Sequence, residues 1–226
     1  MVKIITVYGN MLLTAMGRTL LLAFLGLVFA CILGMIFGLL SVLKNKACNI
    51  ISNIFVFVIR GVPMIVLAFF IYFGIPYLIN TILGFGVGFT LSALQAGTIC
   101  LALNCGAYMA EIIRAGIQSI DQGQTEAARS LGLSQTMNLR YIILPQALKN
   151  ILPAIANEFV VIIKESAITY TIGVQDIMSA VNAVKGATFI IIEPLLVATA
   201  IYFCLCFPTS KLIAYFERRM SHGDKR

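Results

Sequence analysis

Charge is what this sequence has least of. Lys, Arg, Asp and Glu make up 11% of its 226 residues, where a soluble domain carries about a quarter. With 60% hydrophobic residues and a mean hydropathy of +0.99, that shortage excludes a water-soluble globule. Ligands for metal or redox chemistry are scarce too. The single histidine, His222, lies in the polar tail. Cys31, Cys48, Cys100, Cys105, Cys204 and Cys206 form no CxxC pair, and most sit in apolar runs, where a thiol packs as a small hydrophobe. No metal site, catalytic triad or disulfide framework is expected. No GxxxxGK[ST] occurs, so ATP hydrolysis through a Walker A loop is excluded and the chain is not expected to be an enzyme. The first apolar run is too long for a cleavable signal peptide. Internal repeats and low-complexity segments are absent. The net charge of +7 comes from basic residues scattered between apolar runs, a pattern that fits lipid headgroups rather than nucleic acid.

The apolar runs predict an all-α polytopic membrane protein, one domain over 1–226. Its five spans fall at about 19–43, 63–80, 90–114, 150–165 and 187–210. Thr19 to Leu43 has no charge and exceeds the roughly 20 residues a bilayer requires. Residues before Arg18 are expected to form an interfacial helix, and Cys48 to Ile59 an interfacial elbow. Gly26, Gly34 and Gly38 permit close helix contact. The second span should kink near Pro76, and Gly84, Gly86 and Gly88 mark a short turn. The fourth run is too short for a full crossing. It reads as a helix ending at mid-membrane depth near Lys164-Glu165-Ser166, followed by an irregular turn and an external helix. No charge lies between Arg60 and Glu111, whereas Lys44, Lys46, Arg114, Arg129, Arg140, Lys149, Lys211, Arg218 and Arg219 fall on the other side. That asymmetry puts the N-terminus outside, and the C-terminus and the loop at about 119–148 inside.

That loop holds the most polar stretch, EAARSLGLSQTMNLRYIILP, from Glu126 to Pro145. Asp121 can cap a first short helix with Gln124 bonding back. Gly132 suits a left-handed C-terminal cap, and Ser134 can cap a second helix. Pro145 is expected to interrupt that helix and turn the chain back towards the membrane. On composition alone, a solvated loop helix fits. The spacing is more specific: Glu126-Ala127-Ala128, three residues, Gly132, nine residues, then Ile142-x-Leu144-Pro145. It resembles the EAA loop of bacterial ABC importer permeases. The run from Asn104 to Ile117 is similar to their polar amino-acid permease subfamily, and the likeness extends over nearly the whole chain.

The resemblance implies a type I importer fold in a bacterial plasma membrane, with a coupling helix that docks on a cytoplasmic ATPase. Glu126, Ala127, Ala128, Arg129, Leu131 and Gly132 would carry that contact. ATP and Mg would be bound by two separate ATP-binding subunits, with no cofactor in this chain. A second permease chain, identical or related, and an external substrate-binding protein would complete the importer.

Ionisable residues inside a membrane segment are costly and usually functional. Asn157, Glu158, Lys164 and Glu165 cluster in the fourth run, with Glu158 and Glu165 seven positions apart and so on one helical face. Two readings fit. Either Lys164 neutralises a carboxylate and holds the broken helix in shape, or the cluster binds a zwitterion, with Asn104 and Asn157 supplying directional hydrogen bonds. The resemblance implies the second, for polar and in particular basic L-amino acids. The family more often has Asp at the position of Glu165, and Arg-Gly-Thr-Pro where this chain has Arg60-Gly61-Val62-Pro63. Arg60 reads as a snorkelling interfacial cation. Glu111 and Arg114, three apart, can pair on one face. The alternative function is an ion-coupled carrier using Glu158, Lys164 and Glu165, which calls for an inverted repeat.

Overall fold

In hydrocarbon a backbone has no water to bond, so a crossing segment must satisfy its own N–H and C=O groups, as a helix does. The computed structural model describes residues 2–82 and 88–221, and all its regular elements there are helical. Gly84, Gly86 and His222, singled out above, lie outside the described residues.

Helix α1 (Val2–Val42) is a single helix of 41 residues, about 60 Å long. The expected break at Arg18 does not occur. No proline interrupts the run, and one buried seam passes straight through it: Ile4, Leu12, Ala15, Thr19, Leu22 and Ala30. The first half therefore packs instead of lying on an interface. Ile4, Leu12 and Ala15 join Ile177, Val181, Val184 and Val197 in one core. Arg18 donates to the Gln175 side chain, and the Ile177 N–H donates to Thr19 Oγ1 at 3.2 Å.

The second half of α1 lies against α5 (Ala93–Gln118). A Cβ at Gly26, Gly34 or Gly38 would stand 3.0, 2.4 or 2.8 Å from the Cβ of Leu101, Met109 or Ile113. All three pairs are 75 positions apart, so the helices run parallel at a distance that only glycine allows. Helix α5 begins with a full capping box: Ser92 Oγ accepts the Gln95 N–H, and Gln95 Oε1 accepts the Ser92 N–H. The elbow is α2 (Lys46–Gly61), tied to α1 by Ser52 Oγ donating to the Phe37 carbonyl at 2.7 Å.

Two prolines are absorbed in the same way. Helices α3 (Met64–Phe69) and α4 (Ile75–Ile82) are joined by a π turn at Phe70–Gly74, just ahead of Pro76. A second π turn, Leu139–Ile143, joins α7 (Gln135–Asn138) to α8 (Leu144–Glu165) just ahead of Pro145. A widened turn shifts the carbonyl that the proline ring would strike. Contrary to the expectation from the sequence, Pro145 therefore does not interrupt the helix; the chain is helical from Gln135 through Glu165.

At Glu165 the α-helix gives way to a 3-10 segment, Ser166–Ile172, closed by Gly173 at φ 92°. This is the expected irregular turn. Helix α9 (Ile177–Thr188) is capped by Asp176, which accepts the Ser179 N–H at 2.8 Å. Burial pushes the Asp176 carboxyl up to about 6. Phe189, at φ 57°, ends α9, so α10 starts at Ile192 and not near 187. Among the described residues four helices are long and apolar enough to cross a membrane: Lys3–Val42, Met64–Ile82, Ala93–Gln118 and Ile192–Arg219. The remaining expected span, the fourth run, lies in α8, which has 22 residues but carries four charges, Lys149, Glu158, Lys164 and Glu165.

The glycine seam predicts a sharp asymmetry. Gly34→Ala forces α1 from α5 and should cost about 1–3 kcal/mol, the usual range for overpacking. Gly9→Ala, with nothing within 4 Å, should not destabilise. Thermal unfolding of the purified protein reads both, and equal melting temperatures for the two variants would contradict the seam.

Candidate functional site

Helix α8 runs antiparallel to α5. At one end Asn150 Nδ2 donates to Ser119 Oγ at 3.0 Å, and Ile151 and Ala147 pack with Ile113. Towards the other end Asn104 Nδ2 donates to Glu165 Oε2 at 2.9 Å. Between these contacts the Cys105 thiol donates to Glu158 Oε2 at 3.5 Å. The seven-residue spacing thus does turn both carboxylates to one neighbour. The start of α3 covers Asn104: the Met64 sulfur lies 4.0 Å from its Nδ2, and the Cys100 thiol donates to the Met64 carbonyl at 3.7 Å.

Of the five residues expected to bind substrate, the structure brings together Asn104, Glu158 and Glu165. Asn157 and Lys164 lie on an exposed flank of α8. Among the described residues Lys164 makes no direct ion pair with either carboxylate, so such a bond is not what holds the broken helix. Neutral donors hold the carboxylates instead. An ionised carboxylate in a half-buried site needs a charged partner or several strong donors, and one thiol plus one amide provide neither. Chemically, the arrangement suits a cation.

Cys105 was missed because cysteine in an apolar run reads as packing. The available signal was its position next to Asn104, on the side of α5 that meets α8. The exposed Arg60 guanidinium stacks 4.8 Å over the Tyr108 ring, one turn along α5 from Asn104. Glu111 and Arg114 do pair.

The loop forms a separate surface. Helix α6 (Gln122–Ser130) is capped by Asp121, which accepts the Gly123 N–H at 2.7 Å. The expected return bond from the Gln124 side chain is not made among the described residues. Gly132, at φ 78°, closes the helix: its N–H donates to the Arg129 carbonyl, and the Leu133 N–H to that of Ala128. This double bond pattern is the Schellman motif. Ser134 then caps α7 by accepting the Met137 N–H at 3.3 Å. Ala128 is buried, while Glu126, Ala127, Arg129, Leu131 and Gly132 are exposed. Leu131 is 81% exposed, a large apolar side chain with nothing covering it.

Comparison with known proteins gives this architecture its family. Residues 30–222 match the family described as binding-protein-dependent transport system inner membrane component. The putative glutamine transport system permease protein GlnP of Rickettsia conorii is 38% identical over 80% of each chain. The arginine transport system permease protein ArtQ of Bacillus subtilis is 38% identical over 77% of this chain and 76% of its own. Among solved structures, an amino acid ABC transporter crystallised with histidines superposes with a TM-score of 0.85, at 40% identity over 94% of this chain and 95% of that one. The MetNI methionine ABC transporter shares the fold, with a TM-score of 0.75 at 19% identity over 94% of this chain and 97% of that chain. The continuous helix behind the loop, the glycine-closed α6 and the carboxylates facing α5 are thus features of a chain that belongs to the binding-protein-dependent transport system inner membrane component family.

Proposed function

We propose that this chain is the permease subunit of an ATP-driven importer for basic L-amino acids. The observation that carries this reading is the pair of carboxylates, Glu158 and Glu165, presented to α5 with, among the described residues, an amide and a thiol as their side-chain donors. A guanidinium, ammonium or imidazolium side chain supplies the charge that the protein withholds. Relatives named for arginine and glutamine transport support an amino-acid substrate. Asn157 and Lys164, exposed on the flank of α8, complete the site where a second permease chain, identical or related, closes over it; Lys164 then meets the substrate carboxylate.

The exposed face of α6 is the docking surface for one of two ATP-binding subunits, which hold ATP and Mg. Leu131 fills an apolar pocket there, flanked by Glu126 and Arg129. ATP closes that pair and moves the loops, and the helix continuous from Gln135 to Glu165 transmits the motion to the carboxylates. An external binding protein delivers substrate. The chain lies in a bacterial plasma membrane with its N-terminus outside and its C-terminus and α6 inside. An ion-coupled carrier would need a second, inverted copy of the α8 break and would leave the α6 surface without a role.

Glu158→Gln keeps the shape and removes the charge. Uptake of arginine or lysine by the reconstituted importer should fall at least about tenfold, equivalent to roughly 1.4 kcal/mol, with glutamine uptake less affected. An unchanged profile across both substrates would remove Glu158 from the site.

Coupling is tested at Gly132. A β-branched residue is strained at positive φ, so Gly132→Val should abolish transport and release or uncouple the ATPase, leaving the binding protein's affinity unchanged. Full transport with normal ATPase attachment would sink the docking assignment. For orientation, Gly88→Cys should react with an impermeant thiol reagent on intact cells, and Gln135→Cys only after permeabilisation. The reverse pattern would overturn both the topology and the docking side.

A further inference from the structure

Each carboxylate on the α5-facing side of α8 is met by a donor from adjacent positions of α5, and the two donors differ in strength. Glu165 receives an amide N–H from Asn104 at 2.9 Å, whereas Glu158 receives only the Cys105 thiol, at 3.5 Å. A thiol is a weak donor. Cys105 is 1% exposed, so its sulfur cannot turn to solvent. Its contact with Glu158 is fixed by the packing of two helices. No other hydrogen bond to Glu158 is formed among the described residues, which leaves most of that carboxylate's accepting capacity unused. Serine at this position would be nearly the same size and a much better donor.

We propose that Cys105 sets the affinity of the site for cations: its thiol holds Glu158 in place while the site is empty and yields the carboxylate when a cationic side chain arrives. The inference rests on the reading that Glu158 meets substrate. Cys105 is then a positioning residue that acts through Glu158. Its weakness is what matters. A strong donor would stabilise the empty site and oppose binding, whereas a weak one gives the carboxylate up at little cost. When displaced, a helical thiol can turn to the carbonyl four residues earlier, here that of Leu101, so no proton is lost or gained.

The test is equilibrium binding of radiolabelled arginine and of glutamine to the assembled permease–ATPase complex in lipid nanodiscs, without binding protein. Cys105→Ser should weaken arginine binding about fivefold, because a hydroxyl competes better for Glu158. Cys105→Ala should tighten it about threefold, since the competing donor is gone. Glutamine binding should change less than about twofold in either variant. In a Glu158→Gln background both substitutions should lose their effect on arginine. Shifts of the same sign for Ser and Ala, equal shifts for both amino acids, or effects that persist beside Glu158→Gln would each overturn the inference and mark Cys105 as packing only. If Ala does not assemble, Ser alone decides, because it preserves the volume. Glu158→Gln that binds arginine as the wild type does would remove the site reading and the inference together. A weakened Glu158→Gln with silent Cys105 variants would remove the inference alone.

Discussion

An ionised carboxylate taken out of water must be matched by something near it, and Glu158 and Glu165 impose that demand in the middle of an apolar bundle. The surrounding structure can be derived from how the demand is met. Helix α5 has to bring donors to within hydrogen-bonding distance, which it does through Asn104 and Cys105. To reach them it must be held at a defined height, and α1 holds it through three glycine contacts at a constant offset of 75 positions. The 3-10 turn after Glu165 ends α8 beside those donors and not beyond them. What remains unmet is charge, and that unmet demand is the basis of the proposed site.

The loop and the site share one rod. Because the π turn at Leu139–Ile143 accommodates Pro145, α7 and α8 form a continuous helix from the Ser134 cap to Glu165. In the proposed coupling, motion of α6 reaches the carboxylates along this one helix. A π turn is also a place where a helix can change pitch at low cost, so the same feature that preserves continuity supplies the compliance for a rotation. The Schellman closure at Gly132 fixes the angle at which α6 meets this rod.

Much of this was legible in the residues. The glycines at 26, 34 and 38, the Gly132 and Ser134 caps and the one-face pairing of Glu158 with Glu165 follow from spacing alone. The errors also have physical causes. Arg18 looked like a helix boundary, but a single cation does not stop a helix whose buried seam runs from Ile4 to Ala30. Pro145 looked like a breaker, because a sequence does not display whether a π turn will absorb it. Lys164 could be read as a neutralising partner or as part of the binding cluster, because facing one helix side or the next depends on a 100° step, and that step places it away from α5. Cys105 was hidden by its own apolarity, and only the register of α5 against α8 reveals its contact with Glu158.

The most direct measurement is solute accumulation in proteoliposomes that contain the complete importer, with ATP supplied on the ATPase side and no ion gradient. Labelled arginine should be concentrated inside only when ATP is hydrolysed, and excess lysine should suppress it far more than excess glutamine. Accumulation that follows an imposed proton or sodium gradient without ATP, or that glutamine suppresses as well as lysine does, would contradict the account.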